Sequence, residues 1–144
     1  MNQHKHIGFE IKTLSNLIKR QFDQSSNKKE IDNLTGTNGW VIGYLANNQH
    51  RDVFQRDLEL EFSIRRSTAS KILQLMEKKG FIKREAVEYD ARLKKLVLTE
   101  KALEVHAIAQ QGINQLEEKI SKGLTNEEIE TFFKIAEKIK KNLE

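Results

Sequence analysis

Within seven residues, Arg65 to Lys71, the chain sets two guanidiniums, three hydroxyls and an ammonium: Arg65, Arg66, Ser67, Thr68, Ser70 and Lys71. Such donors suit anionic oxygens and base edges, and short hydroxyls make those bonds without holding a backbone away from its target. Plain helix capping is the competing use of Ser67 and Thr68. More cations follow at Arg84, Arg92, Lys94 and Lys95. The excess is local: residues 65–101 hold 11 Lys/Arg against 5 Asp/Glu, a balance of +6, while the remainder holds 14 against 16, a balance of −2. A segment of that kind is either a solvated face or a surface for a polyanion.

Other chemistries find less material. Cysteine is absent, which removes disulfides, thiolate nucleophiles and thiol redox sensing together. The four histidines, His4, His6, His50 and His106, sit at no recognisable spacing from a nucleophile or carboxylate, and no Gly-rich phosphate loop is present. No enzymatic activity, cofactor or metal ion is therefore expected. No apolar run approaches the roughly 18 residues of a membrane span, and no signal-peptide pattern opens the chain. A cytoplasmic protein with no membrane partner is the expectation.

The elements that must position these groups are mostly helical. Proline is absent, so nothing interrupts a long helix by removing a donor. Ile7, Ile11, Leu14, Ile18 and Phe22 recur at helical spacing, and a polar stretch from Gln24 to Lys29 ends that pattern. Thr37 is placed to cap a second helix carrying Trp40, Val41, Tyr44 and Leu45. Val53-Phe54 reads as a minor strand, and Gln55 to Phe62 as a short helix with Leu58 and Phe62 inward. After a break at Ser63-Ile64-Arg65, a helix from Arg66 to Lys79 turns Ala69, Ile72, Leu73 and Met76 inward. Gly80 suits its left-handed cap, with Phe81 packing back. Two strands, Phe81–Glu88 and Leu93–Leu98, are expected around a polar loop, Tyr89-Asp90-Ala91-Arg92. Thr99 opens a long helix that Gly123 ends, and Thr125 with Glu128 forms a capping box for a last helix bearing Phe132, Phe133, Ile139 and Leu143.

Short helix, tight break, basic helix and basic hairpin make a winged helix-turn-helix. A helix fits the major groove of B-DNA, and a hairpin beside it can follow the backbone toward the minor groove. The fold class is thus mainly α with a small β-hairpin. Lys94 and Lys95 point to opposite faces of a strand, so only one of them is expected to face phosphate.

The runs Arg65-Arg66-Ser67-Thr68-Ala69-Ser70-Lys71, Leu75 to Arg84, and Asp90-Ala91-Arg92 through Leu98-Thr99 resemble the MarR family of transcription regulators. The Asp-x-Arg of the wing, followed by Leu-Thr at the next helix, is the most specific part. The resemblance implies one MarR-type domain over 1–144, with a winged lobe at about 51–99 and dimerisation helices at about 5–24 and 100–143. It implies a homodimer on double-stranded DNA, with Arg92 in a minor groove and Asp90 orienting it. Arg84 and Lys94 are also expected to contact DNA, with Arg65, Arg66, Ser67, Thr68, Ser70 and Lys71. A carboxylate two residues away can hold a guanidinium in one rotamer.

Two recognition helices about a twofold axis imply a roughly palindromic site, and a dimer over a promoter blocks polymerase, so a repressor is expected. The resemblance also implies release by a small aromatic or phenolic ligand. Phe22, Trp40 and Tyr44 are candidate pocket-wall residues, with core packing as their competing role. Two alternatives stay open. One is a metal-responsive regulator of the same fold, with His4 and His6 as chelators. The other is a winged-helix protein- or RNA-interaction module.

Overall fold

The computed structural model describes residues 5–24 and 39–144. The expected cap Thr37 and the histidine His4 lie outside them. The chain falls into two compact units, Phe22–Gly112 and Met1–Gln21 with Ile113–Glu144. Among the described residues the helices are α1 (Ile7–Asp23), α2 (Gly39–Asn47), α3 (Gln55–Glu61), α4 (Arg66–Lys78), α5 (Glu100–Ser121) and α6 (Asn126–Leu143). Strands β1 (Ile82–Val87) and β2 (Asp90–Leu98) stand between α4 and α5.

The unit Phe22–Gly112 closes a core of its own. Val41, Ile42 and Leu45 of α2, Leu58 of α3, Leu73 and Met76 of α4, Phe81, Ile82, Leu96 and the first turns of α5 (Ala102, Val105) form one buried cluster. On α4 the inner face is Ala69, Leu73 and Met76, with Ile72 half-buried beside them. That spacing of three and four leaves the other faces of α4 to polar groups.

Two successive helices end in the same way. At the end of α3 the Ile64 N–H donates to the Glu59 carbonyl at 3.1 Å, and Ser63 between them has φ 50. At the end of α4 the Phe81 N–H donates to the Met76 carbonyl at 2.9 Å across Gly80, at φ 81. Both are Schellman closures, which need a left-handed residue. Glycine adopts that conformation freely; a residue with a Cβ does so at a cost.

Several expectations are corrected. Val53-Phe54 is not a strand: Leu96 N donates to Val53 O at 2.7 Å, but Phe54 turns away to become the N-cap of α3. Phe62 is not inward with Leu58. The helix ends at Glu61, the chain reverses hand at Ser63, and Phe62 stays 38% exposed against Trp40 (ring centroids 4.3 Å apart) and Tyr44 (5.5 Å). The hairpin turn is Glu88-Tyr89 alone, and Asp90, Ala91 and Arg92 belong to β2. Pairing jumps from Ala86↔Lys94 to Val87↔Asp90, so three residues, 91–93, oppose none on β1. The polarity that suggested a long loop is absorbed as a bulge within the strand.

The other unit contains most of α1, the end of α5 and α6. No residue of α1 or α6 is buried, although Ile7, Phe9, Phe132, Phe133, Ile135 and Leu143 are each more than half exposed. Gly123, at φ 83, ends the turn after α5. The capping box forms as expected: Glu128 N donates to Thr125 Oγ1 at 3.1 Å, and Thr125 N to Glu128 Oε1 at 2.9 Å. Among the described residues no helix is long and apolar enough to cross a membrane.

Candidate nucleic-acid interface

The start of α4 projects its polar groups outward. Arg65 is its N-cap in extended conformation, and its side chain makes no cap hydrogen bond. Arg65, Arg66, Ser67, Thr68 and Lys71 are exposed and Ser70 is half-buried. Donors and the positive end of the helix dipole thus face the same way, an arrangement that favours phosphate. The tight turn before α4 is held by the Ile64–Glu59 bond and by Gln55 Nε2, which donates to Arg66 O at 3.4 Å.

The wing is fastened at its base. Thr99 N donates to Phe81 O at 3.1 Å, and the Thr99 hydroxyl donates to Gly80 O at 2.6 Å. The same oxygen accepts from Ala102 N at 3.3 Å, so one side chain closes the hairpin and caps α5. Lys101 Nζ donates to Lys79 O at 2.8 Å and lies 4.8 Å from the centre of the Phe81 ring.

At the bulge, Arg92 forms a fork with Asp90. Nε reaches Oδ1 and Nη2 reaches Oδ2, each at 3.2 Å, and the Arg92 backbone N–H donates to Oδ1 at 3.0 Å. The Arg92 side chain is nonetheless 90% exposed. Hydrogen bonds from the Arg92 guanidinium, then from its backbone, hold the Asp90 carboxyl below its ordinary pKa. A surface pair of this kind adds little to stability. Its effect is orientation: the guanidinium is fixed in direction while its outer face stays open.

A groove of about 460 Å³ gathers part of the expected set: Arg66, Arg84, Arg92 and Lys94 line it with Phe54, Gln55, Arg56, Glu59 and Leu93. Arg84 is also tied to Glu77, Nε to Oε2 at 3.1 Å. Arg65, Ser67, Thr68, Ser70 and Lys71 do not line the groove, and Asp90 serves it through Arg92. Arg56 was missed by sequence reasoning, since it stands outside the basic segment on a helix of seven residues. Lys95 points elsewhere, to Asp52 at 3.7 Å, which leaves Lys94 as the outward lysine.

The candidate pocket-wall residues occupy the same unit. Phe22 is half-buried, while Trp40 and Tyr44 pack on the core cluster and on Phe62. Tyr44 Oη accepts from Arg51 Nη2 at 2.7 Å. Among the described residues no three His, Cys, Asp or Glu side chains gather as a metal site would require.

Comparison with known proteins decides the family. Residues 32–93 match the model described as "MarR family". The transcription regulator MarR from Oenococcus oeni PSU-1 is 37% identical, with a TM-score of 0.83 over 94% of this chain and 99% of that one. The chain belongs to the MarR family. This MarR protein is also 28% identical to the uncharacterised HTH-type transcriptional regulator YybA of Bacillus subtilis strain 168, over 89% of this chain and 85% of YybA. It shares its fold with S. aureus MepR, solved in complex with DNA, at 23% identity and a TM-score of 0.81 over 96% and 97% of the chains. As a MarR-family transcriptional regulator, it has a winged helix-turn-helix fold and is not an enzyme.

Proposed function

We propose that the protein is a homodimeric repressor that binds a roughly palindromic duplex site and leaves it when a small molecule binds. The observation that carries duplex contact is Arg92. It is held by Asp90 on the wing bulge, 90% exposed, beside a groove shared with Arg56, Arg66, Arg84 and Lys94. The start of α4, Arg65 to Lys71, enters the major groove, and Arg92 reaches the minor groove beside it. That MepR, of the same fold, was solved with DNA supports duplex as the partner. A-form RNA hides its major groove, so duplex RNA of the same length is the fitting comparison.

The second copy covers the exposed apolar faces of α1 and α6, with α1 and the residues from 100 onward forming the dimer core. Two α4 helices about a twofold axis then meet major grooves about 34 Å apart, which makes the site palindromic. A dimer seated on a promoter blocks polymerase without further contacts. Family membership supports release by a small aromatic or phenolic ligand, with Phe22, Trp40 and Tyr44 as wall residues. A ligand that releases DNA must bind the two states unequally.

The test is selection of bound duplexes from a random pool, followed by titration of the best one. Palindromic winners bound by two protomers support the proposal, and binding no tighter than to duplex RNA contradicts it. Phenolic acids added to the preformed complex at constant salt then test release.

A further inference from the structure

The bulge that carries Arg92 has no ladder partner for residues 91–93, yet it is fastened on both sides to one carboxylate. Tyr89, in the turn before the bulge, donates its hydroxyl to Asp52 Oδ2 at 3.0 Å. Lys95, after the bulge, reaches Asp52 Oδ1 at 3.7 Å. Asp52 itself sits on a braced corner. The neighbouring Val53 carbonyl accepts from Leu96 N at 2.7 Å, and Val53 is 2% exposed in the core. Arg51, on the other side, bonds Tyr44 Oη at 2.7 Å and Asn48 Oδ1 at 3.3 Å, and pairs with Asp57 at 3.7 Å.

We infer that Asp52 is a positioning residue for DNA contact: its carboxylate brackets residues 90–94 through Tyr89 and Lys95 and so sets where the Asp90–Arg92 fork points. The inference rests on the proposed duplex binding. A strand segment with three unpaired residues has no ladder to fix its direction. Two anchors on one carboxylate restrict it from both ends, so less freedom is lost when the guanidinium docks. Tyr89 suits this use and little else. The residue is 66% exposed and is no part of the core cluster, while its hydroxyl bonds Asp52.

The experiment is a double-mutant cycle in duplex affinity, using the full chain and the selected duplex at fixed salt. Tyr89→Phe deletes one oxygen from an exposed side chain, and is expected to weaken binding roughly three- to tenfold. Asp52→Ala, which releases both anchors, is expected to weaken it more. Neither change should weaken binding further in an Arg92→Ala background, because both act through Arg92. Full affinity in Asp52→Ala, or equal losses with and without Arg92, overturns the inference. Amide hydrogen exchange of residues 90–94 without DNA separates this from failure of duplex binding itself. Faster exchange confined to that segment in both variants upholds the bracket even if no duplex binds, and unchanged exchange overturns it.

Discussion

The lobe Phe22–Gly112 and the unit built on α1 and α6 solve the same physical problem differently. Among the described residues of the lobe, seven large apolar side chains, Phe81 and Val41 among them, are less than 2% exposed, and the basic groups of α4 and the wing stand on that closed core. In the terminal unit no residue of α1 or α6 is fully buried, and Phe132 and Phe133 meet edge to face at 5.5 Å while each stays more than half exposed. Apolar faces of that extent leave water only against another surface. The lobe is thus equipped to hold its shape alone, whereas the terminal helices leave apolar faces that the proposed dimer would cover with a second copy. In the proposed dimer, rigid presentation of charge and assembly of two such presentations are divided between the two units.

The largest effect expected is in the lobe. Leu73→Ala removes a fully buried side chain and should cost about 2–5 kcal/mol in urea unfolding monitored by the Trp40 fluorescence. Cost near zero would mean that the lobe core is not the stabilising unit. Next comes the terminal unit. Phe132→Glu with Phe133→Glu should turn the proposed dimer, followed by sedimentation, into a monomer whose lobe stays folded. Duplex affinity should fall by at least about a hundredfold, because the second half-site is no longer held close. A variant that stays dimeric, or a lobe that unfolds with it, breaks the division drawn between the units.

Smaller effects sharpen it. The two Schellman closures differ by one side chain, Ser63 in one and Gly80 in the other. A Cβ built at Gly80 meets nothing within 4 Å, so Gly80→Ala isolates the backbone cost, about 1–2 kcal/mol of destabilisation. Ser63→Gly should shift the melting temperature upward or leave it unchanged, since relief of strain opposes added chain entropy. The least effect concerns pH. The Asp90 pKa is depressed in the folded protein, so the fork is fully present above the unfolded value and is lost only as pH falls through the lower folded one. NMR titration of the Asp90 carboxyl should give a midpoint below the usual carboxylate range, and Arg92→Gln should raise it.

What could be read in the chain beforehand was what depends on neighbours in sequence. The entrance to α4, the glycine cap at Gly80 and the Thr125–Glu128 box are local signals, and all three formed as expected. The bulge at 91–93 is not local, because register is set by which residues face each other across the hairpin. Polarity alone made Asp90–Arg92 resemble a loop. Arg56 reached the groove from outside the basic segment, and Asp52 met Tyr89 across 37 residues. Phe62 lay at the right spacing from Leu58 to be inward, but Ser63 reversed the hand of the chain after it. Each miss comes from a contact that the fold, and not the spacing, creates.

In the proposed function the exposed, Asp90-held Arg92 and the α4 entrance contact duplex DNA. The most direct test of that contact is a fluorescence-anisotropy titration of the selected duplex with the unaltered protein, Arg92→Ala and Lys122→Ala at fixed salt. Arg92→Ala should lose affinity roughly tenfold or more. Lys122→Ala, in the turn after α5, should bind as the unaltered protein does, and affinity should fall steeply with salt as counterions are released. Equal affinity of all three proteins would contradict it.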